Sequence, residues 1–184
     1  MKTKKIFLVL FLAASLTIAN AQNFKLNDQI VNVGLGLGST NYSSSLYSMR
    51  ILPISFSYEK GIKDEIIEKG VFSVGGYLGM SSFKYNSNVS SVGNIPYTTD
   101  IIIGARGALH YPFLADPKLD TYLGLMIYYD IATWSTNNSS NPAIGGLSFS
   151  LYLGGRYYLD KNFSGFVELG YGISYLTIGV GYKL

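Results

Sequence analysis

The sequence predicts an all-β fold, an eight-stranded antiparallel up-and-down transmembrane β-barrel, on three observations. An export signal stands at the N-terminus, and eight segments behind it carry large apolar residues at every second position. The chain is also 48% hydrophobic and only 14% charged. This composition excludes disorder, and its charged share is well below the about 25% of ordinary soluble domains. We therefore expect one domain whose surface does not face water.

The first 21 residues have the three parts of a secretory signal peptide. Lys2, Lys4 and Lys5 supply positive charge, residues 6–18 are mostly apolar, and Ala19-Asn20-Ala21 is a small-x-small cleavage motif. The apolar run is shorter than the about 20 residues of a spanning helix, which disfavours an uncleaved anchor. The predicted division is a signal peptide (1–21), a short periplasmic N-terminal segment (22–30) and a β-barrel domain (31–184).

Removal of this leader changes the charge balance of the chain. The full sequence has 14 basic and 11 acidic residues, and the leader holds three of the basic ones, so the mature chain carries 11 of each. Its formal net charge is zero. No basic excess remains that would point to nucleic acid as a partner.

Each of the eight alternating segments places its large apolar residues on one face. In the first, Val31, Val33 and Leu35 lie on one face of a strand, opposite Asn32 and glycines. The others repeat this arrangement with Gly, Ser, Tyr or a charge between the large apolar residues. The segments are residues 31–38, 52–59, 72–80, 100–111, 122–131, 147–159, 166–171 and 176–184. Most of these segments are close to, or longer than, the length of about 9 to 11 residues that a tilted spanning strand needs.

The connections between the segments alternate in character. Polar stretches at residues 41–49, 86–95 and 134–146 contrast with a tight turn at 160–162 and moderately short links at 61–70 and 112–118. Around Ile173 and Ser174 only a tight connection is left between the last two segments. Long loops at one end and short turns at the other are typical of a barrel in the bacterial outer membrane. An even strand number places both termini on the periplasmic side.

A secreted lipocalin-like barrel is the soluble alternative, with the apolar face turned inward. The opposite face would then be the surface, but it consists mainly of Gly, Ser and Tyr and has few charges. A water-facing surface needs more charged residues, so the membrane interpretation is favoured.

The C-terminal third resembles a known family. Residues 156–163, 166–172 and 178–184 look like the closing hairpin of the outer membrane protein beta-barrel domain family, the OmpA/OmpX-like eight-stranded barrels, and residues 103–111 are similar to its fourth strand. The resemblance implies the Gram-negative outer membrane, with its lipid and lipopolysaccharide as surroundings. It also implies that Tyr182 and Leu184 form the signal for the barrel assembly machinery during insertion, although Leu184 replaces the usual terminal aromatic residue.

The few charges on the small-residue face are expected to fill the lumen. They are Glu59, Asp100, Arg106, His110, Asp130, Arg156, Glu168 and Lys183. Glu168 is expected within cross-strand reach of Arg156, and Arg106 can meet a partner only if the lumen is narrow. Buried charges must be paired, so we interpret this set as an internal plug, with Tyr77, Tyr128, Tyr152 and Tyr158 filling the remaining space.

No catalytic, cofactor-binding or metal site is predicted. The chain has no cysteine and a single histidine, His110, interpreted as a hydrogen-bonded structural residue near the periplasmic end. The glycine-rich residues 34–38 lie within a strand and open no helix, so they are not a phosphate-binding loop.

The predicted function is therefore not enzymatic. It is a structural or loop-mediated interaction role for a monomeric barrel with a plugged polar lumen, with an extracellular ligand of unspecified identity. Trp134, at the base of the third outer loop, is interpreted either as a ligand contact or as an interfacial anchor. The alternatives are a narrow channel for small solutes and a lipid A-modifying outer-membrane enzyme.

Overall fold

The structure is a computed structural model that describes residues 24–38, 47–85, 97–113, 116–135 and 144–184. The predicted signal peptide and most of the three predicted outer loops lie outside these ranges. Over the ranges described, no helix is long and apolar enough to cross a membrane.

Eight antiparallel strands form a closed ring in sequence order, as predicted. The strands are β1 (Gln29–Leu37), β2 (Tyr47–Asp64), β3 (Val71–Tyr85), β4 (Tyr97–His110), β5 (Leu119–Ser135), β6 (Ile144–Tyr158), β7 (Phe163–Gly170) and β8 (Leu176–Lys183). The ring closes between β1 and β8, where Val33 lies opposite Val180. We call the end that holds both termini the periplasmic end and the opposite end the outer end.

Strand alternation sends the apolar residues outward. Along β1, Val33 is 49% exposed whereas its neighbour Asn32 is 2% exposed. The same alternation around the ring builds a continuous apolar belt, which includes Leu35, Phe56, Leu78, Ile103, Leu125, Leu153, Val167 and Ile178. An exposed apolar surface of this extent is far larger than soluble monomers present, and it matches the lipid-facing band of a membrane barrel. The lipocalin-like alternative is therefore wrong.

Glycines on the inward face make room for tyrosine rings. Gly124 of β5 lies opposite Tyr152 of β6, and Gly154 of β6 lies opposite Tyr122 of β5. A Cβ atom added to Gly124 or Gly154 would lie 2.2 Å from the facing ring. The narrow interior is thus packed by pairing the smallest residue with a large one, as in a close-packed core.

Several strands run beyond the apolar alternation that predicted them. β2 continues to Asp64, so the connection to β3 shrinks to residues 65–70, and Trp134 lies within β5 rather than in a loop. Backbone hydrogen bonds do not require apolar side chains, so pairing continues into polar sequence. Trp134 is opposite Thr98, and both lie on the lumen-facing side of their strands, in step with Asp130 and Asp100.

The outer rim is uneven because β1, β7 and β8 are short. These three strands have 8 or 9 residues, whereas β2 to β6 have 14 to 18. In the pairing with β7, β6 takes part only from Tyr152 to Tyr158. Five strands therefore form a taller wall on one side of the barrel.

Residues 24–28 fold against the periplasmic mouth instead of extending away from it. Phe24 is buried beside Ile30, Val71 and Tyr158, and its ring stacks on His110 with 4.0 Å between centroids. Asn27 donates a backbone hydrogen bond to Gly61, whose N–H donates to Asp28. Asp28 in turn forms a 2.5 Å ion pair with Lys183. This segment closes the barrel at its periplasmic end.

The tight turn between β6 and β7 is built around Asp160. Its carboxylate accepts hydrogen bonds from the backbone N–H groups of Phe163 (2.7 Å) and Asn162 (2.8 Å). These two bonds hold the pKa of the Asp160 carboxyl below its ordinary value. Such an Asx-type turn explains why the short periplasmic connection was predictable from sequence.

Replacement by alanine is expected to affect stability differently at two adjacent glycines of β3. A Cβ at inward-facing Gly75 would lie 1.8 Å from the carbonyl oxygen of Tyr58, whereas one at Gly76 meets no atom closer than 4.0 Å. We expect Gly75→Ala to lower the free energy of unfolding in micelles by about 1 to 3 kcal/mol. Gly76→Ala is the matched control and should change it by less than about 0.5 kcal/mol. Equal urea midpoints for the two variants would contradict the packing of this lumen.

Candidate functional site

The inward charges form two layers inside the barrel, and the first lies at mid-depth. Arg106 of β4 reaches across the lumen to Glu168 of β7, with 2.6 Å between Nη2 and Oε1. Its Nε donates a 2.9 Å hydrogen bond to the Tyr152 hydroxyl, and its guanidinium lies 4.2 Å from the centroid of that ring. Tyr122 donates a second hydrogen bond to Glu168 at 2.8 Å. The Arg106 layer therefore joins strands from opposite walls.

The second layer lies closer to the periplasmic end and is centred on Arg156. This guanidinium donates to Asp120 of β5 at 2.8 Å and forms a short ion pair with Glu59 of β2. It also donates to the Asn32 amide oxygen at 3.4 Å. The Arg156 side chain is 0% exposed, so both of its carboxylate partners are needed to replace water.

His110 extends this second layer toward the mouth. Its Nδ1 lies 2.9 Å from an Asp120 oxygen, and its Nε2 lies 3.0 Å from the Ser73 hydroxyl. The Phe24 ring covers one face of the imidazole. The predicted role of His110 as a hydrogen-bonded residue near the periplasmic end agrees with this geometry.

The two layers are parts of one network. Ser57 accepts hydrogen bonds from both Arg106 (3.4 Å) and Asn32 (3.1 Å). The Tyr122 ring lies 5.2 Å from the Arg156 guanidinium, while its hydroxyl bonds Glu168 in the other layer. In total the network holds two guanidinium groups, three carboxylates and one imidazole, and these side chains cross the lumen at two heights.

Little volume remains around the network. A cavity of about 30 Å³ above the Arg106 layer is lined by Tyr77, Tyr152, Glu168 and Ser174. A second cavity of about 40 Å³ lies at the mouth beside Phe24, His110 and Asp120. Each has room for about one water molecule. Neither is large enough for an organic ligand.

One expected contact is not formed. Glu168 does not bond Arg156, because Glu168 is opposite Gly154 while Arg156 is opposite Phe166 and turns toward the mouth. Arg106 supplies the partner of Glu168 instead, across a narrow lumen. Asp120, which completes the Arg156 layer, was missed because the predicted fifth segment began two residues later. The alternation of Asp120 with Tyr122 and Gly124 was the signal that could have identified it.

The structure places Asp100 and Asp130 apart from this network. Asp100 lies six residues from Arg106 along β4, which corresponds to about 20 Å in an extended strand. Asp130 is opposite Ile102, close to Asp100 and toward the outer end. Both face inward by alternation, as predicted, but they are too far away for direct pairing with Arg106.

The remaining predicted residues lie near the two ends of the barrel. Tyr182 packs edge to face on Phe163, with 4.9 Å between centroids, and faces the membrane. The N–H of Leu184 donates to the Gln29 carbonyl at 2.9 Å, so the last residue continues the pairing of β8 with β1. Trp134 is half-buried at the outer end of β5.

Ser73, His110 and Asp120 are linked in the order of a hydrolase triad, but their surroundings favour a structural role. The Ser73 residue is 1% exposed, and Phe24 stacks on the imidazole. Asp120 is already paired with Arg156. A nucleophile needs access for substrate and donors for an oxyanion, and Ser73 lines neither of the two cavities around the network. Among the residues described, no group of three or more metal-binding side chains is placed to hold an ion.

The pairing of Arg106 with Glu168 predicts strong coupling between the two residues. Arg106→Ala and Glu168→Ala should each lower the free energy of unfolding by about 3 to 5 kcal/mol, since each leaves an unpaired buried charge. The double variant should lose less than the sum of the two. Urea titration of the refolded protein in micelles measures all three, and Lys161→Ala on the exposed turn is the control. Additive losses, or unchanged midpoints, would refute the plug.

Comparison with known proteins finds likeness in structure alone. No protein-family model matches the chain, and no curated protein matches it. Among solved structures, Ail, the attachment invasion locus protein of Yersinia pestis, superposes with a TM-score of 0.54 at 12% identity, over 87% of this chain and 100% of Ail. Ail in complex with the heparin analogue sucrose octasulfate gives 0.55 at 11% identity over the same shares. The chain thus has the fold of an eight-stranded outer-membrane β-barrel.

Proposed function

We propose that this protein is an integral barrel of the Gram-negative outer membrane, exported by its signal peptide, with a structural role and loops available for contact. The observation that carries the proposal is the sealed interior. Two layers of paired side chains cross the lumen, and residues 24–28 close its mouth. A barrel filled in this way contributes a rigid, impermeable wall and a scaffold for its loops.

The composition of the three predicted outer loops favours contact with a neutral polar ligand rather than with a polyanion. Ail was solved with a heparin analogue bound. In this chain residues 39–46, 86–96 and 136–143 contain no Lys, Arg, Asp or Glu and are rich in Ser and Asn. Without basic residues these segments lack the charge that sulfate groups require. Hydrogen bonding by amides and hydroxyls is the contact that they offer.

The narrow channel remains the second candidate, because water-sized cavities lie above and below the network. Single-channel recording distinguishes the two. We expect the mature protein, with its folding checked by a heat-dependent gel shift, to give no discrete openings in a planar bilayer. A large porin added to the same bilayer is the positive control. Reproducible openings that change in Arg106→Ala or Glu168→Ala would instead make the inner charges a selectivity element.

The proposal also includes the absence of hydrolase activity. We expect a fluorophosphonate probe, which labels activated serines, to leave the folded protein unlabelled because Ser73 is buried beneath Phe24 and His110. Phe24→Ala tests whether the cover alone prevents reaction, and it too should remain unlabelled. Labelling that is lost in Ser73→Ala would identify a nucleophile and contradict a purely structural role.

A further inference from the structure

The distribution of charge at the outer end is one-sided. Beyond the Arg106 layer, toward the outer rim, the whole sequence supplies only Arg50, Lys84, Asp100 and Asp130. The two carboxylates face the lumen, since they alternate with outward Ile101, Ile103, Ile127 and Tyr129. Both outward-facing charges in this region are therefore cations. The segments between the described strands add no carboxylate that could neutralise them.

These two cations lie together on the outside of three neighbouring strands. Lys84 of β3 is opposite Tyr97 of β4, and Ser48 of β2 lies on its other side. The Arg50 guanidinium stacks over the Tyr97 ring, 4.2 Å from its centroid. Neither Arg50 nor Lys84 forms an ion pair with any residue that the structure describes. We call Arg50, Lys84 and Tyr97 the rim cluster.

The backbone around Arg50 is irregular, and this irregularity directs the Arg50 side chain toward Tyr97. The pairing of β2 with β3 shifts between Met49 and Ile51, so Arg50 is the extra residue of a β-bulge. Bulges redirect a side chain away from the regular alternation. Stacking on an aromatic ring then holds the planar guanidinium in one orientation, which reduces the entropy lost when it binds a ligand.

The surface below the rim cluster is apolar. Leu52 and Ile54 of β2, Leu78 and Met80 of β3 and Ile101 and Ile103 of β4 are all exposed on the outer wall. The rim cluster thus stands where the lipid-facing belt ends on this side, at the height at which headgroups begin. A ligand that fits both parts carries an anionic head above long apolar chains.

We propose that the rim cluster binds the phosphate group of a phosphorylated lipid in the outer leaflet. Arg50 offers parallel N–H donors that match phosphate oxygens, Lys84 adds a second positive charge, and the acyl chains lie along the apolar surface of β2, β3 and β4. The inference rests on the proposed insertion in the outer membrane. It deepens that function by assigning a lipid contact to one face of the barrel.

The test measures lipid binding to the full mature protein, refolded in neutral detergent micelles, by native mass spectrometry. The probes are dioleoyl phosphatidic acid and dioleoyl phosphatidylcholine. We expect phosphatidic acid to bind at least about tenfold more tightly, the effect of one charge-assisted hydrogen bond. Arg50→Gln/Lys84→Gln should reduce this to the phosphatidylcholine level, and Tyr97→Leu should weaken it a few-fold by releasing the guanidinium.

A matched control removes two cations elsewhere. Lys63→Gln/Lys161→Gln makes the same change of charge at exposed periplasmic positions and should leave the preference intact. A preference that survives in Arg50→Gln/Lys84→Gln, or equal binding of the two lipids by the wild type, would overturn the proposal. Displacement of phosphatidic acid by an equal concentration of inorganic phosphate would also overturn it, since the site would then recognise free phosphate.

Failure of this inference is distinguishable from failure of the proposed function. A heat-dependent gel shift on every variant shows whether the barrel has formed, so a lost preference in a folded variant reports on the rim cluster alone. Channel openings with the lipid preference intact would instead refute only the sealed lumen, because Arg50 and Lys84 lie outside it.

Discussion

The need to pair every charge inside a narrow ring governs the interior of this protein. Eight strands leave a lumen that side chains fill, so a guanidinium there is cut off from water and depends on carboxylates of other strands. Arg106 of β4 bonds Glu168 of β7 across the lumen, whereas Arg156 of β6 bonds Asp120 of the neighbouring β5 and Glu59 of β2 across the lumen. The side chains that bridge the lumen occupy most of its volume. The positions opposite Tyr122 and Tyr152 must therefore be glycine.

Alternation alone predicted the ring but not the partners within it. Period-two patterns identify which face of each strand is apolar, and that is enough to predict eight strands, their order and both termini at one end. Which charges meet depends on the stagger of the strands around the barrel, which no local pattern encodes. Arg156 therefore meets Asp120 and Glu59 rather than Glu168. Phe24 was not predicted as a plug because it precedes the alternating sequence.

The outer surface divides into regions of different chemistry. An apolar belt surrounds the wall, the segments at the outer end are neutral, and two cations remain on one face at the upper edge of the belt. A chain with a formal net charge of zero after loss of its leader can still present a local charge of this kind, because most other charges are paired inside or lie at the periplasmic end. Total charge was therefore a poor guide to what this surface recognises.

The position of Phe24 has a consequence for how the molecule matures. The residues that bury it come from β1, β3, β4 and β6, so its seat does not exist until strands distant in sequence have joined the ring. The N-terminal residues can therefore dock only once these four strands have come together, which makes their docking a late, non-local step of folding.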